Sequence, residues 1–343
     1  MGVTLCNKTV AGRFDSKKNA SDMETRFTEL RKNIDYGENM VGIVILNYNS
    51  WDDTEACIHS ILKAEPDLNY RIYVVDNASP MRPTETFIAW LKKQGIVLIQ
   101  NVRNSGYSAG NNIGIKRALQ DECDAILISN SDVRYELHSI SVMYKYLKRN
   151  PAVGIVGPKI IRKNGTVQKE CMLMKTGPRE KYLLRTRLYV LFPGLYRKYW
   201  GKNYNYDHEI FEVYAVLGCC FMFSRNCAEE VTPLDEHPFL YEEELILGIQ
   251  MEKSGWKTVY NSESVIHHLH SQSTEKVKAF AYACNVCSEI YFCKKYLNMK
   301  NWQIRPLYWY RSALYALKML KWADFRDYRN EYKRKTKLEF DEK

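Results

Sequence analysis

Val41-Gly42-Ile43-Val44-Ile45-Leu46-Asn47-Tyr48-Asn49 is the stretch on which the fold turns. Residues 41–46 are apolar and rich in β-branched side chains, and the run stops abruptly at two asparagines flanking a tyrosine. That is the pattern of a buried strand ending in a polar cluster. It recurs. Residues 71–75 read as a second short strand stopping at Asp76-Asn77-Ala78-Ser79, residues 96–100 as a third, and residues 125–129 as a fourth stopping at Asn130-Ser131-Asp132. Helices are predicted between them, from a cap at Asp52 or Asp53 to residue 62, over 84–94 and over 108–119. Strand and helix in alternation specify parallel βαβ units and a doubly wound sheet. Ligands of such sheets bind beyond the carboxyl ends of the strands. The three polar clusters should therefore share one edge, and that edge is the candidate site.

Past residue 150 the alternation weakens. Residues 153–161 read as another strand, with a turn at 163–166. Residues 172–210 mix basic and aromatic side chains with no clean period. Residues 213–223 should be buried, 242–253 should form a helix closed by Ser254-Gly255, and 276–335 should be helical. Residues 1–39 read as a flexible N-terminal extension. The expected organisation is a catalytic domain at 40–275, with a nucleotide-binding half at 40–135 and an acceptor half at 136–275, followed by a basic, aromatic helical extension at 276–343.

Composition narrows the class without choosing a function. Hydrophobic residues make up 45% and charged residues 26% of 343, ordinary for a globular chain. A net charge of +10 favours phosphates, nucleic acid or anionic headgroups. No nucleic-acid-binding motif accompanies the charge, so a nucleic-acid partner is not expected. The ten cysteines are scattered and no charged-then-apolar leader opens the sequence, which points to free thiols in a reducing compartment. No apolar run reaches the roughly 18–20 residues that span a bilayer. The expected location is the cytoplasm, with contact to the inner face of the membrane as a further option. Cys284 and Cys287 form a CxxC without a second ligand pair and read as helix thiols rather than a zinc site.

Several residues could carry chemistry. Asp76 is placed to accept hydrogen bonds from a base or ribose, or else to close an Asx-turn. Asp132 could hold a hard divalent cation of the magnesium or manganese type, or else end a strand. The segment Asn104-Ser105-Gly106-Tyr107-Ser108-Ala109-Gly110-Asn111-Asn112 lets backbone approach a ligand at a helix start, but has neither P-loop nor dinucleotide spacing. Glu242-Glu243-Glu244 sits between apolar walls, where mutual repulsion raises a carboxyl toward the basicity a general base needs. A helix N-terminus enriched in acids would explain the same run. His267, His268 and His270 could contribute a metal ligand or a phosphate contact.

The ordered set resembles the family 2 glycosyltransferases, which adopt the GT-A fold. The resemblance runs from residue 41 to about 274 and rests on Asn47-Tyr48-Asn49, Val74-Val75-Asp76-Asn77-Ala78-Ser79, the 104–114 segment, Asn130-Ser131-Asp132 in place of the DxD motif, Gly218, Glu243-Glu244 ahead of Gly255, and His268 with Ser273. Within the family it is most similar to rhamnosyltransferase-like members that build surface polysaccharides.

The resemblance implies a Rossmann-like, mostly parallel sheet with helices on both faces, and an inverting transfer of sugar from a dTDP- or UDP-sugar, such as dTDP-rhamnose, to an acceptor hydroxyl. By position, Asp76, Asn47 and Asn49 would line the base pocket. Asn104, Gly106, Asn111, Asn112 and Asn130 would belong to the nucleotide site. Asp132 and His268 would hold Mn²⁺ or Mg²⁺, and Gly218 and Glu242 would face the acceptor. Glu244 falls at the place of the catalytic base, usually an aspartate, with Glu243 or Glu242 as alternatives. The acceptor would be a saccharide or lipid-linked saccharide, and the basic aromatic segments 183–200 and 291–337 would either touch a membrane or form a helical cap. Asn130 replaces the first acid of the motif, which leaves open a nucleotide-sugar-binding protein of the same fold with weak or no turnover. A nucleotidyltransferase would need a Gly-rich basic loop after the first strand, where this chain has Asn47-Tyr48-Asn49-Ser50.

Overall fold

The computed structural model describes residues 40–169, 174–201, 204–269 and 278–341. The N-terminal extension, His270, Ser271 and Ser273 lie outside the described residues. The first half runs β1 Val41–Asn47, α1 Trp51–Ala64, β2 Tyr70–Asp76, α2 Glu85–Lys93, β3 Val97–Gln100, α3 Tyr107–Gln120 and β4 Ala125–Asn130. β1 pairs in parallel with both β2 and β4, and β2 pairs in parallel with β3. This is the expected βαβ half-sheet. Helix α1 begins one residue before the predicted caps, so Asp52 and Asp53 occupy its first turn, where carboxylates favour the helix dipole.

The chain continues with β5 Val133–Tyr135, α4 Ser139–Arg149, β6 Val153–Arg162, α5 Pro178–Arg185, a 3₁₀ turn at Arg187–Val190, α6 Pro193–Tyr199, β7 Ile210–Val213, β8 Cys220–Ser224, α7 Arg225–Val231, α8 Glu243–Ser254 and β9 Lys257–His268. The whole sheet has the order β3-β2-β1-β4-β8-β6-β9-β5, with β7 also on β9. β8 is antiparallel to β4 and β6, whereas β9 is parallel to β6 and antiparallel to β5. Of these elements only β6 and α8 are predicted from the sequence; β5, α4, β9 and everything from α5 to α7 are not, although residues 213–223 are expected to be buried.

Helices cover both faces, and the strand period of two divides the core accordingly. Val41, Ile43, Ile45 and Leu127 pack with Ile58 and Ile61 of α1, Leu91 of α2 and Met143 of α4. Val44, Ile126 and Ile128 point the other way, onto Ile115 of α3, Ala228 of α7 and Met251 of α8. On that second face α3 lies against β1 so closely that two of its positions exclude a side chain. A Cβ on Gly114 would stand 2.2 Å from Val44 Cγ1, and one on Gly110 2.5 Å from Leu46 Cδ1.

Four helices close the chain: α9 Lys278–Lys295, α10 Asn301–Lys321, α11 Ala323–Asp327 and α12 Arg329–Asp341. Their core is aromatic, with the Tyr315 and Tyr332 rings stacked at 4.1 Å and Phe325 beside them. Phe292 of α9 packs with Leu245, Ile246 and Ile249 of α8, which joins this bundle to the sheet domain. Cysteines among the described residues are free, and Cys284 and Cys287 sit on α9. No helix among the described residues is long and apolar enough to cross a membrane.

Gly114→Ala should test the close approach of α3. Alanine ordinarily gains helix stability over glycine by about 1 kcal/mol, but here the overpacking against Val44 should win and lower stability by about 1–3 kcal/mol. A thermal melt showing an unchanged or raised midpoint would contradict the packing described.

Candidate active site

The three polar clusters meet at one edge, as strand polarity requires. Asn47, at the end of β1, donates to Asp76 Oδ1 (3.3 Å) and Ser79 Oγ (3.1 Å), while its own Oδ1 accepts from Thr54 Oγ1 (2.9 Å) and Ser50 Oγ (3.0 Å). Asp76 also accepts from Ser79 N (3.1 Å) and Ser79 Oγ (2.5 Å), all through Oδ1. The Asn130-Ser131-Asp132 turn joins the same edge through Ser131 Oγ, 2.9 Å from Ser50 Oγ. Asn49 adopts a left-handed φ of 58° and accepts from Met81 N at 3.1 Å, which holds the 79–81 turn beside it.

The glycine-rich segment forms the next wall. Asn104 Oδ1 accepts from Asn77 Nδ2 (2.9 Å) and from Gly106 N (3.1 Å). Gly106, with φ 93°, caps α3, and a Cβ there would stand 2.4 Å from the Phe239 carbonyl oxygen, so only glycine fits. Asn111 is fully buried; its amide donates to Tyr107 O at 3.1 Å, and its Oδ1 finds no hydrogen-bond partner among the described residues. Asn112 donates to Leu234 O (2.9 Å) and Glu236 Oε1 (2.8 Å) and accepts from Leu234 N (2.8 Å). Its side chain thus fastens the 234–236 segment onto α3.

Asp132 and His268 are brought together by two strands that the sequence pattern does not reveal. β5 runs antiparallel to β9, so Val133 faces His268, and Leu269 N donates to Asp132 O at 3.1 Å. His268 Nε2 then lies 3.4 Å from Asp132 Oδ1, with both residues largely buried. His267 points elsewhere, to Glu136 at 2.8 Å. Among the described residues no group of three or more His, Cys, Asp or Glu side chains is placed to hold a metal ion. One carboxylate and one imidazole side by side nevertheless suit a cation shared with substrate phosphates, since magnesium-type ions commonly take one or two protein ligands and complete their shell with phosphate and water.

The three glutamates at the head of α8 separate into distinct roles. Glu242, with φ 71°, is buried and points away from the sheet edge, between Lys181 Nζ (2.5 Å) and Arg185 Nη2 (2.7 Å). Burial works against its charge, but the ammonium and guanidinium outweigh it and hold the carboxyl below the usual glutamate range. Glu243 is pushed well above that range by burial and by Glu244, and its Oε2 has no hydrogen-bond partner among the described residues. Glu244 is also raised, chiefly by burial, while its Oε1 accepts from Gly218 N at 3.1 Å. Gly218 is held in turn by Tyr107, whose hydroxyl donates to its carbonyl; a Cβ at 218 would press on Glu244 Oε1 at 3.1 Å.

A cleft of about 790 Å³ opens beside Glu244. Arg162, Lys169, Tyr196, Tyr199, Trp200 and Tyr241 line it, together with the Glu242 ion pairs. A smaller cavity on the other side touches Glu243, Glu244, Gly218 and Tyr107. Glu244 alone of the three glutamates borders both. Apart from Glu242 and Glu244, sequence reasoning did not single out the residues lining the large cleft, although it noted the basic and aromatic character of 172–210. Their spacing has no period because α5, the 3₁₀ turn and α6 are short and change direction.

The structure is thus a Rossmann-like sheet with acidic and amide clusters at its carboxyl edge and a glutamate, Glu244, bordering a wide cleft. Residues 42–231 match the model of glycosyl transferase family 2, and the chain belongs to that family. It is 27% identical over 206 residues to a low-salt glycan biosynthesis hexosyltransferase of Haloferax volcanii, covering 60% of this chain and 59% of that one. It is 28% identical over 201 residues to an N-acetylglucosaminyl-diphospho-decaprenol L-rhamnosyltransferase of Mycobacterium tuberculosis, covering 57% of this chain and 62% of that one. The chain thus spans about three fifths of the length of these relatives. Its fold is similar to that of GalNAc-T7 solved with UDP, GalNAc and Mn²⁺, with a TM-score of 0.53 at 13% identity over 83% of this chain and 57% of that one.

The buried ion pairs of Glu242 make a stability prediction. Glu242→Gln removes the negative charge between two cations and should cost about 3–5 kcal/mol at neutral pH. Because the folded carboxyl titrates below its unfolded value, this advantage of the native protein is complete above the ordinary glutamate range and shrinks as pH falls below it. Urea unfolding of both proteins across pH should show the two curves converging in acid; a constant gap would contradict the assignment.

Proposed function

We propose that this chain is an inverting glycosyltransferase that moves a hexosyl group from a nucleoside diphosphate sugar onto an acceptor hydroxyl, with Glu244 as the general base. The observation that carries the reading is the short path between the two chemical centres. Gly218 N–H donates to Glu244, and the next residue, Cys219, accepts from the Asn130 N–H at 2.9 Å through its carbonyl. One peptide step therefore couples the base to the Asn130-Ser131-Asp132 turn.

Residues 40–135 would form the nucleotide half and 136–275 the acceptor half. Among the described residues Asp76 uses only Oδ1 in its scaffold bonds, so Oδ2 is the oxygen offered to a base N–H, with Asn47 and Asn49 fixing the strand ends around it. Asn104, Gly106 and Asn111 wall the site on the ribose side, and Asn130 stands at the turn beside the diphosphate. Asp132 and His268 would hold Mn²⁺ or Mg²⁺, which supplies charge neutralisation on the departing diphosphate. Glu244 takes the proton of the acceptor hydroxyl at the cleft; the oxygen attacks the anomeric carbon from the face opposite the leaving phosphate, and configuration inverts. A raised carboxyl is the stronger base for this step. Glu243, raised further and lacking access to the large cleft, suits a protonated neighbour. Glu242 is committed to Lys181 and Arg185 and acts on the acceptor side only by fixing the start of α8.

The donor that fits the family resemblance is a dTDP- or UDP-sugar, and the name of the mycobacterial relative favours a rhamnosyl group and a lipid-linked saccharide acceptor. Cell-envelope or surface glycan synthesis on the cytoplasmic side of a membrane follows from that acceptor.

Glu244→Gln should lower transfer by about 10²- to 10⁴-fold while leaving donor binding and the melting temperature near those of the parent. Glu243→Gln should cost far less. The acid limb of the parent's pH–rate profile should lie above the ordinary glutamate range, with the rate rising as Glu244 ionises. Transfer by Glu244→Gln at the parent rate would refute the base assignment. Donor binding by the parent without any transfer or donor hydrolysis would favour a binding protein, the reading that Asn130 at the metal turn would then explain.

A further inference from the structure

Two exposed apolar surfaces take no part in the site described above. The first is a continuous run, Leu188-Tyr189-Val190-Leu191-Phe192, formed by the 3₁₀ turn and the link into α6, in which Leu191 is 70% exposed. The second is the outer face of α10. Trp302, Pro306, Trp309, Ala313, Leu317 and Leu320 are all exposed there, Leu320 at 81%. At 100° per residue they fall on one stripe, opposite the buried Ile304, Leu307 and Tyr315. Isolated exposed apolar residues are ordinary, but continuous runs and full helical stripes mark a surface that meets something apolar.

The charges around both surfaces have one sign. No aspartate or glutamate occurs between residues 181 and 206, or between 290 and 323. Arg187, Arg197 and Lys198 flank the first surface, and Arg305 and Lys321 the second. The two are joined directly: the Tyr182 hydroxyl of α5, just before the 3₁₀ turn, donates to the Gln303 carbonyl beside Trp302. Tyr189 of the apolar turn stacks at 5.0 Å on Tyr196, which lines the 790 Å³ cleft with Tyr199 and Trp200, so the turn lies beside the cleft's rim.

We propose that the chain docks on an anionic lipid bilayer through the 188–192 turn and the outer stripe of α10. Aromatic and aliphatic side chains enter the headgroup–acyl boundary while the flanking arginines and lysines engage phosphate headgroups, the combination that holds interfacial segments on charged membranes. A protein partner would be expected to set acids against these cations and would not require two separate acid-free stretches. Docking by this rim brings the mouth of the cleft to the headgroup layer. That consequence, delivery of a lipid-linked acceptor, rests on the transferase reading; the docking itself rests on the surface alone.

Vesicle flotation of the full chain tests it, using phosphatidylcholine alone and phosphatidylcholine with about one third phosphatidylglycerol. The anionic vesicles should carry the protein, binding should weaken with salt, and tryptophan emission should shift to the blue as Trp302 and Trp309 leave water. The pair Leu191→Glu with Phe192→Glu, and separately Trp309→Glu with Leu320→Glu, should each reduce flotation by about tenfold or more. These positions are exposed, so circular dichroism and melting should not change. A parent protein that floats with neither vesicle would overturn the proposal, as would charged pairs that float like the parent. A dimer broken by the same substitutions, with no flotation, would reassign the surface to a contact between copies. Flotation needs no sugar donor, so a failure of transfer to a free saccharide acceptor would count against the enzyme reading and leave this result standing.

Discussion

Glu242 is a carboxylate taken out of water at the point where the chain enters helix α8, and the helices around it are arranged to make that tolerable. Desolvating a lone carboxylate costs several kcal/mol even after relaxation. Here two cations from α5, Lys181 and Arg185, answer it. Arg185 reaches on to Glu289 of α9 at 3.1 Å, and Glu289 lies 3.6 Å from Arg311 of α10. Lys181 also rests over the Phe292 ring at 4.6 Å. Such a chain of buried charges has few alternative arrangements, because any shift of one element leaves a charge uncompensated. It therefore fixes α5, α8, α9 and α10 relative to one another. The next two residues on α8 are the raised glutamates, so the same constraint sets where Glu244, the proposed base, stands beside the cleft.

The carboxyl edge of the sheet depends on a different device. Its strand ends are tied by neutral hydrogen bonds among Asn47, Asp76, Ser79 and Thr54, which spend amide and hydroxyl groups on rigidity and keep one carboxylate oxygen of Asp76 out of the scaffold. α3 is pressed onto β1 where Gly110 and Gly114 leave no side chain, and this sets the height of the Gly106 cap above the sheet. Glu244 and the sheet edge meet at Gly218 and Cys219, whose backbone bonds Glu244 through one residue and the Asn130 turn through the next. The wide cleft beside Glu244, lined by residues of α5, α6 and the head of α8, is the place proposed for an acceptor.

The parallel half-sheet was legible because β1, β4 and most of β2 are buried on both faces and so appear as continuous apolar runs with polar stops; β3, at the edge, is only half-buried. That one edge would gather Asn47, Asp76 and the Asn130 turn followed from strand direction alone. β9 was not legible: Asn261, Ser262 and Ser264 are buried in it, and its polar residues conceal the strand period. β5 is only three residues long, too short to show any pattern. The juxtaposition of Asp132 with His268 depends on those two strands, so only the family resemblance pointed to it. The glutamate run was visible, but its division of labour was not, because Lys181 and Arg185 lie about sixty residues away in an aperiodic segment. For Asn112 the family resemblance implies a place in the nucleotide site; that its amide also fastens Leu234 and Glu236 onto α3 could not be read from the sequence.

Titration calorimetry of uridine, thymidine and guanosine diphosphates, each with and without Mn²⁺, addresses the central claim that the carboxyl edge is a metal-assisted nucleoside diphosphate site. The account predicts that one nucleotide binds, that Mn²⁺ strengthens it, and that Asp132→Ala abolishes the metal's contribution while leaving a folded protein. Binding that is indifferent to Mn²⁺ and unchanged in Asp132→Ala, or no binding by any of the three, would contradict it.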